Sequence, residues 1–202
     1  MNVASLRLQI IVLAAGFSSR LGQPKALARV HGVSLLRSTL ELAATLECAK
    51  IIAVVGHNSA RHRAQAGAVS VTFVANSRRN QGLSSSVRLG IAMARHSPAV
   101  LLMPVDLANL KARELALLVR RWRATPRRVI ARRIGRSGAV PLILPRRLYA
   151  RALGVVGDVG LRELIAQLPA DSRVLVDLPS ASLDIDTAQD LKAARRSFRG
   201  RG

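Results

Sequence analysis

The stretch that decides the fold is IIVLAAGFSSRLGQPK, residues 10–25. An apolar run from Leu8 to Ala14 predicts a buried strand, and it breaks at once into a turn rich in glycine and serine. Glycines let backbone N–H groups approach anionic oxygens, and the cations Arg20 and Lys25 can neutralise the charge that remains. A strand followed by an ordinary turn would leave this pairing of cations and glycines unexplained. The stretch therefore predicts a loop that binds a phosphate chain.

This loop matches neither of the common glycine motifs. A P-loop requires Ser or Thr directly after its lysine, whereas Lys25 is followed by Ala26. A dinucleotide fingerprint requires glycine at alternate positions, and only Gly16 and Gly22 are present. The candidate nucleotide-binding residues of the loop are Leu13, Ala14, Ala15, Gly16, Ser18, Ser19, Arg20, Gly22 and Lys25.

Composition limits the class of protein. With 202 residues and 50% hydrophobic content the chain can form one substantial core, so we expect a single domain over residues 1–202 with a frayed basic tail at about 196–202. Residues 1–9 lack the features of a secretory signal, and no apolar run is long enough to cross a membrane, which favours a cytoplasmic protein. The single cysteine, Cys48, excludes an intramolecular disulfide and a cysteine-based zinc site.

The formal net charge of +21 raises the possibility of a nucleic-acid binder. The cations are spread along the whole chain, however, and aromatic residues make up only 2% of it, which leaves little for a base-stacking platform. We therefore expect no specific nucleic-acid partner and no membrane partner. Basic faces should still attract anionic small molecules.

Strand and helix signals alternate along the chain. Buried strands are predicted from the apolar runs at 8–14, 51–55, 71–75, 99–104 and 139–144. Helical spacing is present over 35–46, 60–66, 85–95 and 112–123. Such alternation predicts an α/β doubly wound domain with a mostly parallel sheet, in which ligands bind at the carboxyl ends of the strands.

A second polar segment, VANSRRNQGLSSSVRLG at residues 74–90, follows one of these strands directly. Its short side chains carry hydrogen-bond donors and acceptors, and its glycine permits close backbone approach. Both features suit a site that binds a nucleotide. Its end also resembles a helix start capped by serine, and both interpretations can hold because a helix N-terminus is itself an anion site. The candidate residues are Asn76, Gln81, Gly82, Ser84 and Ser85.

Two acidic segments are candidates for a metal site. Asp106 follows the strand in VLLMPVDLANL, residues 100–110, where it could serve as a helix cap or as a Mg²⁺ ligand beside the phosphate loop. The segment LDIDTAQDL, residues 183–191, holds Asp184 and Asp186 on one face of a short extended stretch.

The end of that second segment has a simpler explanation. Thr187 and Asp190 resemble a capping box, although Asp is shorter than the usual Glu. A capping box would account for these two residues and would leave Asp184 and Asp186 unexplained.

The first loop, residues 13–25, resembles the signature of the nucleotidyltransferases that act on molybdenum cofactor, Leu-Ala-Ala-Gly-x-Ser-x-Arg-x-Gly-x-x-Lys. The later motifs follow in the order of that family. The resemblance extends from Ile10 to Leu191. It implies a three-layer α/β/α, Rossmann-like nucleotidyltransferase fold. Leu-Ala-Ala-Gly is the form of the cytidylyltransferase branch; the guanylyltransferase branch has glycine at the position of Ala15 and an acidic residue at that of Pro24.

The resemblance also implies roles for individual residues. Arg20 and Lys25 would hold the triphosphate, Asp106 and Asp186 would bind Mg²⁺, and the 76–86 segment would recognise base and ribose. The family has Met-Pro or Gln-Pro after the metal-binding Asp, where this chain has Leu107-Ala108, which puts the geometry of that loop in doubt.

Two later segments match the acceptor pocket of the family. GAVPLIL, residues 138–144, would contribute Gly138 and Pro141, although the polar residue usual between them is missing. GDVGLREL, residues 157–164, would contribute Asp158 and Arg162, which a capped helix start with an i,i+4 ion pair explains almost equally well.

The implied activity is Mg²⁺-dependent transfer of a nucleotidyl group from CTP to the phosphate of Mo-molybdopterin, with release of pyrophosphate. The family further implies a molybdenum hydroxylase or its chaperone as partner. Two alternatives remain open: transfer to another small phosphate, from GTP to molybdopterin or to a sugar 1-phosphate, and a basic non-catalytic module that binds nucleic acid or a partner.

Overall fold

The computed structural model describes residues 7–16, 18–48, 50–57, 59–157, 160–182 and 184–197. The strands are β1 (Gln9–Ala14), β2 (Arg29–Val30), β3 (Val33–Ser34), β4 (Lys50–Val55), β5 (Thr72–Ala75), β6 (Ala99–Pro104), β7 (Val129–Ile134), β8 (Ser137–Pro145) and β9 (Arg173–Val176). The helices are α1 (Leu35–Ala44), α2 (Ser59–Arg63), α3 (Leu83–Met93), α4 (Ala112–Ala124), α5 (Tyr149–Leu153), α6 (Gly160–Ala166) and α7 (Ala188–Ser197). Within the described ranges, no helix has the length and apolar character needed to cross a membrane.

Seven strands form the central sheet, in the order β5-β4-β1-β6-β8-β7-β9. All of its pairings are parallel except those of β8, which runs antiparallel to both β6 and β7. The α/β prediction with a mostly parallel sheet is therefore confirmed, and each of the five predicted strands lies within or beside an observed one. β7 and β9 are not predicted from the sequence; in β7, two arginines interrupt the apolar pattern.

Helices cover both faces of the sheet and complete three layers. On one face Trp122 of α4 and Leu36 of α1 are almost fully buried against the strands. On the other face, α3 approaches β1 so closely that a Cβ on Gly90 would lie 2.5 Å from a side-chain carbon of Ile11. Burial of both faces explains why the central strands are continuous apolar runs.

A smaller apolar cluster joins the first loop to the last helix. Its buried members are Leu21, Ala28, Leu35, Ile185, Leu191 and Ala194. The cluster packs α7 against the loop that follows β1, and this helix continues through Arg196 to Ser197, the start of the stretch expected to fray.

Strand direction decides which residues share an edge. Because β8 reverses between β6 and β7, strands β1, β4, β6 and β7 all end at the same edge of the sheet. The β7–β8 pairing shifts register between Ala131 and Arg132, which leaves Val140 and Pro141 of β8 without partners on β7. In an open α/β sheet this is the edge where ligands bind.

Candidate active site

A cavity of about 380 Å³ lies at this edge of the sheet. It extends from the end of β1 to the start of β8, and five separate segments of the chain meet around it. Its lining residues are Leu13, Ala14, Ala15, Gly16, Lys25, Ala26, Arg79, Asn80, Gly82, Leu83, Ser86, Pro104, Val105, Asp106, Leu107, Arg132, Val140 and Asp184.

The first loop is closed by one of its own serines. The hydroxyl of Ser18 accepts a hydrogen bond from the backbone N–H of Lys25 at 2.7 Å. Between them, a single 3-10 turn over Ser19–Leu21 ends at Gly22, whose φ of 70° lies in the left-handed region that favours glycine. Of the residues predicted here, Leu13 to Gly16 and Lys25 line the cavity, while Ser18 and Gly22 shape the loop.

The two cations of the loop have different surroundings. The Lys25 side chain is 16% exposed and lines the cavity, whereas Arg20 is exposed and is not among the lining residues. The side chain of Ser19 lies outside the described parts of the chain. The structure therefore brings one of the two predicted loop cations into the cavity.

Lys25 joins the two carboxylates that the sequence predicts as metal ligands. Its Nζ donates to Oδ2 of Asp106 at 3.0 Å and to Oδ1 of Asp186 at 2.7 Å. Burial lowers the pKa of Lys25, but the two carboxylates outweigh it and raise that pKa above its ordinary value. Residues far apart in the sequence thus form one charged cluster at the cavity.

Backbone pairing holds the two acidic segments together. The N–H of Ile185 donates to the carbonyl of Asp106 at 3.1 Å, and Leu107 forms an antiparallel bridge with Asp184. α4 begins only at Ala112, after an N-cap at Lys111, so the alternative that Asp106 caps a helix is wrong.

Asp190 fixes the backbone that carries Asp186. Its carboxylate accepts from the N–H of Asp186 at 3.0 Å and from the N–H and hydroxyl of Thr187 at 2.7 and 2.8 Å. The N–H of Asp190 donates back to the Thr187 hydroxyl at 3.1 Å, so the capping box is confirmed. These hydrogen bonds to the charged form lower the pKa of Asp190.

The donor set at this cluster suits a hard divalent cation. Carboxylate oxygens of Asp106 and Asp186 converge on one point, where both accept hydrogen bonds from the ammonium of Lys25. Within the described residues no group of three or more His, Cys, Asp or Glu side chains could hold a metal ion. Mg²⁺ commonly uses one or two protein carboxylates and takes its other ligands from water and substrate phosphates, so the residues present fit Mg²⁺.

The 74–90 segment forms one side of the cavity. α3 begins at Leu83 with Gly82 at the N-cap, so the predicted serine cap is wrong and the serines occupy the first turn. Gly82, Leu83 and Ser86 line the cavity, and so do Arg79 and Asn80, which the sequence interpretation missed. Both missed residues lie inside a motif that it had already singled out.

The other predicted residues of this segment hold its shape. The amide of Asn76 is buried and donates to the hydroxyls of Ser85 and Ser86 at 2.8 and 3.0 Å. The side-chain oxygen of Gln81 accepts from Arg88 at 3.2 Å, and the N–H of Ser84 donates to a backbone carbonyl of the loop before α6. None of these four predicted side chains, Asn76, Gln81, Ser84 or Ser85, lines the described cavity.

Arg132 and Asp184 form the opposite side of the cavity. Arg132 is only 8% exposed, and its Nη1 lies 3.5 Å from Oδ1 of Asp184 and donates to the carbonyl of Ala181. Burial raises the pKa of Asp184, and the nearby carboxylates of Asp106 and Asp186 raise it to a lesser degree. The guanidinium of Arg132 lowers this pKa, but the net shift is upward. The sequence interpretation missed Arg132 because it missed β7.

None of the predicted acceptor residues that the structure describes lines the cavity. Gly138 is buried, and a Cβ there would lie 2.8 Å from Ala131 and 2.9 Å from Ile165, so close packing accounts for this glycine. Pro141 is buried in β8, Arg162 is exposed on α6, and Asp158 lies outside the described residues. Val140, between the two predicted residues of β8, is the one that lines the cavity.

All residues that line the cavity, except Asp184, lie within a stretch that matches a known domain family. Residues 10–173 match the family model described as the MobA-like NTP transferase domain. The match contains the first loop, the 74–90 segment, Asp106 and Arg132, and it ends before Asp184 and Asp186.

Two curated relatives share part of this sequence. A probable molybdenum cofactor guanylyltransferase of Rhodopirellula baltica is 34% identical over 124 residues, which are 59% of this chain and 58% of the relative. The bifunctional protein GlmU of Ralstonia pickettii is 30% identical over 114 residues, which are 55% of this chain and 25% of the relative. The chain thus spans less than two thirds of either relative.

Solved structures share the fold over almost the whole chain. Rv0371c of Mycobacterium tuberculosis superposes with a TM-score of 0.76 at 24% identity and covers 93% of this chain and 96% of its own. A structure of the same protein in complex with manganese gives 0.71 at 22% identity, with 93% and 97% covered. A 4-diphosphocytidyl-2C-methyl-D-erythritol synthase of Anaerococcus prevotii gives 0.77 at 15% identity, with 98% of each chain covered. These likenesses support the Rossmann-like nucleotidyltransferase fold.

Proposed function

Because the chain belongs to the MobA-like NTP transferase domain family, we propose that it is a nucleotidyltransferase that transfers the CMP group of CTP to the phosphate of Mo-molybdopterin and releases pyrophosphate. The observation that carries this proposal is the convergence of Lys25, Asp106 and Asp186 beside a phosphate-binding loop. A binding module has no need of two carboxylates held beside a buried lysine.

The backbone at the end of β1 and the start of α3 would bind the nucleotide. Gly16 lines the cavity with no side chain of its own, and Gly82 and Leu83 place the start of α3 against the same space. The positive end of the dipole of this helix favours an anion there. These two elements support placing the triphosphate between the first loop and α3.

Lys25 would change partners when the triphosphate binds. In the free protein its ammonium neutralises Asp106 and Asp186, and its flexible stem allows it to turn from them to a phosphate oxygen. On the triphosphate it would stabilise the charge that develops on the departing pyrophosphate. The reaction needs no protein nucleophile, because the acceptor phosphate attacks the α-phosphorus of CTP and pyrophosphate leaves.

Asp106 and Asp186 would hold Mg²⁺ once Lys25 has moved away. When bound, the metal ion would reduce the repulsion between the acceptor phosphate and the α-phosphate and polarise the latter. The manganese complex reported for Rv0371c supports a divalent metal in this fold. In this role Asp190 keeps the Asp186 backbone in place through the capping box.

CTP is proposed over GTP because of the Leu-Ala-Ala-Gly sequence of the first loop, in which Ala15 lies buried at the cavity. GTP is the second candidate, since a curated relative is named a probable molybdenum cofactor guanylyltransferase. A molybdenum hydroxylase or its chaperone is proposed as the recipient of the product.

The test measures pyrophosphate release and dinucleotide formation with Mo-molybdopterin, using CTP or GTP at equal concentration. We expect faster turnover with CTP, no turnover without acceptor, and loss of most turnover in Asp106→Asn but not in Asp177→Asn, a matched change at an exposed carboxylate outside the cavity. A clear preference for GTP would favour the guanylyl reaction. Nucleotide binding without release of pyrophosphate from the nucleotide, whichever phosphorylated acceptor is supplied, would contradict the proposal.

Lys25→Ala should also weaken CTP·Mg²⁺ binding measured by isothermal titration calorimetry. Removing one charge-assisted contact from a partly buried site costs about 2 kcal/mol. Unchanged affinity and turnover would refute the assignment of Lys25 to the triphosphate.

A further inference from the structure

We propose that Arg132 binds the phosphate of the acceptor, and that Asp184 holds its guanidinium until that phosphate arrives. The identity of the acceptor rests on the proposed function, whereas the anion site itself does not. On this proposal, the β7–β8 side of the cavity binds a phosphomonoester.

The first argument is the burial of an arginine whose donors are not all used. Arg132 is 8% exposed, and its buried Nε has no hydrogen-bond partner among the described residues. Four other described side chains share that property, at Gln9, Ser84, Trp122 and Ser137, but Arg132 is the one that lines the cavity. A buried donor without an acceptor is unfavourable, and an anionic ligand would remove that cost.

The second argument is the weakness of the pairing with Asp184. Nη1 of Arg132 lies 3.5 Å from Oδ1 of Asp184, longer than a good hydrogen bond, and the Asp184 side chain is 47% exposed. A phosphate dianion carries more charge and matches the planar guanidinium better than one half-exposed carboxylate does. Asp184 is thus a counter-ion that a phosphate can displace.

The third argument is position. In the strand order β4-β1-β6-β8-β7, the nucleotide elements belong to the β4–β1 side, where Arg79 lies against Gly56 after the end of β4. Arg132 lies on β7, on the far side of Asp106, which follows β6. A second phosphate on that side would face the nucleotide across the carboxylates of Asp106 and Asp186.

The register shift of the sheet places Arg132 in the cavity. β7 changes register between Ala131 and Arg132, where two residues of β8, Val140 and Pro141, have no partner. Such irregularities re-aim side chains and are frequent beside binding sites. The next residue, Arg133, is exposed and pairs with Asp177 at 3.0 Å, so it provides a matched control on the same strand.

The experiment measures binding of inorganic phosphate by isothermal titration calorimetry, without nucleotide or metal and at 0.15 M salt. We expect Arg132→Gln to weaken phosphate binding about tenfold or more, and Arg133→Gln to change it less than about twofold. Asp184→Asn, at an exposed position that tolerates substitution, should tighten binding several-fold, and Arg132→Gln should abolish that gain in the double variant. Thermal unfolding of each variant checks that it is folded.

The result that overturns the inference is an equal loss in Arg132→Gln and Arg133→Gln, or a gain from Asp184→Asn that survives in the double variant. If Arg132→Gln does not fold, Arg132→Met takes its place, and persistence of the Asp184→Asn gain in that uncharged variant also overturns it. With active enzyme, Arg132→Gln should raise the KM for the acceptor and leave the KM for CTP unchanged; a fall in kcat alone would indicate a merely structural role. Phosphate binding through Arg132 without nucleotidyl transfer would refute the proposed function and leave this inference standing.

Discussion

Lys25→Met should destabilise the metal-free protein by about 2 kcal/mol at pH 7. The change removes the ammonium and keeps most of the aliphatic stem. Its contact with Asp106, whose side chain is 26% exposed, is a charge-assisted hydrogen bond worth about 1.5–3 kcal/mol. The contact with Asp186, which is 45% exposed, is screened by water and adds less than about 1 kcal/mol. Desolvation of the ammonium offsets part of the sum, which leaves about 2 kcal/mol.

For a chain of this length, that loss corresponds to a fall in Tm of about 4–8 °C, measurable by calorimetry in the presence of a chelator. Because the carboxylates raise the folded-state pKa of Lys25, its contribution is complete below the ordinary lysine pKa and is lost as the pH rises through the raised value. The difference between wild type and variant should therefore stay constant from about pH 6 to 9 and shrink in strong alkali.

A thermodynamic cycle identifies the source of the effect. In an Asp106→Asn, Asp186→Asn background, Lys25→Met should cost little, because the ammonium no longer has charged partners. The reasoning is refuted if Lys25→Met leaves Tm unchanged, or if it costs as much in that background as in the wild type.

Four further predictions concern turnover, stability and binding. Asp106→Asn and Asp186→Asn should each remove most turnover, and the double variant should be little worse than either, because the two residues act as one unit; normal turnover of Asp186→Asn with Mg²⁺ would contradict this. Asp190→Asn should lower Tm at pH 7, and the difference should fade as the pH drops below the lowered pKa of Asp190, because a carboxylate stabilised in the fold contributes only while it is charged; a constant difference down to pH 2 would argue against the capping role. Gly138→Ala should lower Tm, since its Cβ would meet Ala131, Ile165 and Leu175 within 3.1 Å; calorimetry showing no change would mean that this region repacks freely. Any DNA or RNA binding should be independent of sequence and fall steeply with salt in a filter-binding assay, and a specific complex that persists at physiological salt would favour the binding-module alternative.

The central strands could be predicted because burial on both sheet faces leaves an unbroken apolar signature. β1 and β6 are of this kind, and each leads directly into a cavity residue. β7 could not be recognised in the same way, because Arg132 and Arg133 give its second half the composition of a solvent-exposed segment. Whether an arginine on a strand is buried depends on what packs above it, which is a tertiary property.

The pairing of Lys25 with the two carboxylates was also beyond prediction from the sequence. The sequence predicts that Lys25 binds phosphate and that Asp106 and Asp186 bind a metal ion, because each motif indicates the ligand that it would bind. Without ligands, opposite charges brought to one edge pair with each other. The bridge between Leu107 and Asp184 brings the segment of Asp186 to that of Asp106, and no local pattern encodes this contact between distant segments.

The cluster around Leu21 and Ile185 joins α7 to the loop and the carboxylate of the proposed active site. α7 reaches the first loop through Leu191 and Ala194, and its first turn is capped onto the backbone of Asp186. Cleaving the chain near residue 188, or fusing another domain there, would therefore disturb the charged cluster at the cavity. Every strand of the sheet would stay paired. The family match ends at residue 173, at the first residue of β9, so it leaves out α7 and Asp186 as well as most of that edge strand.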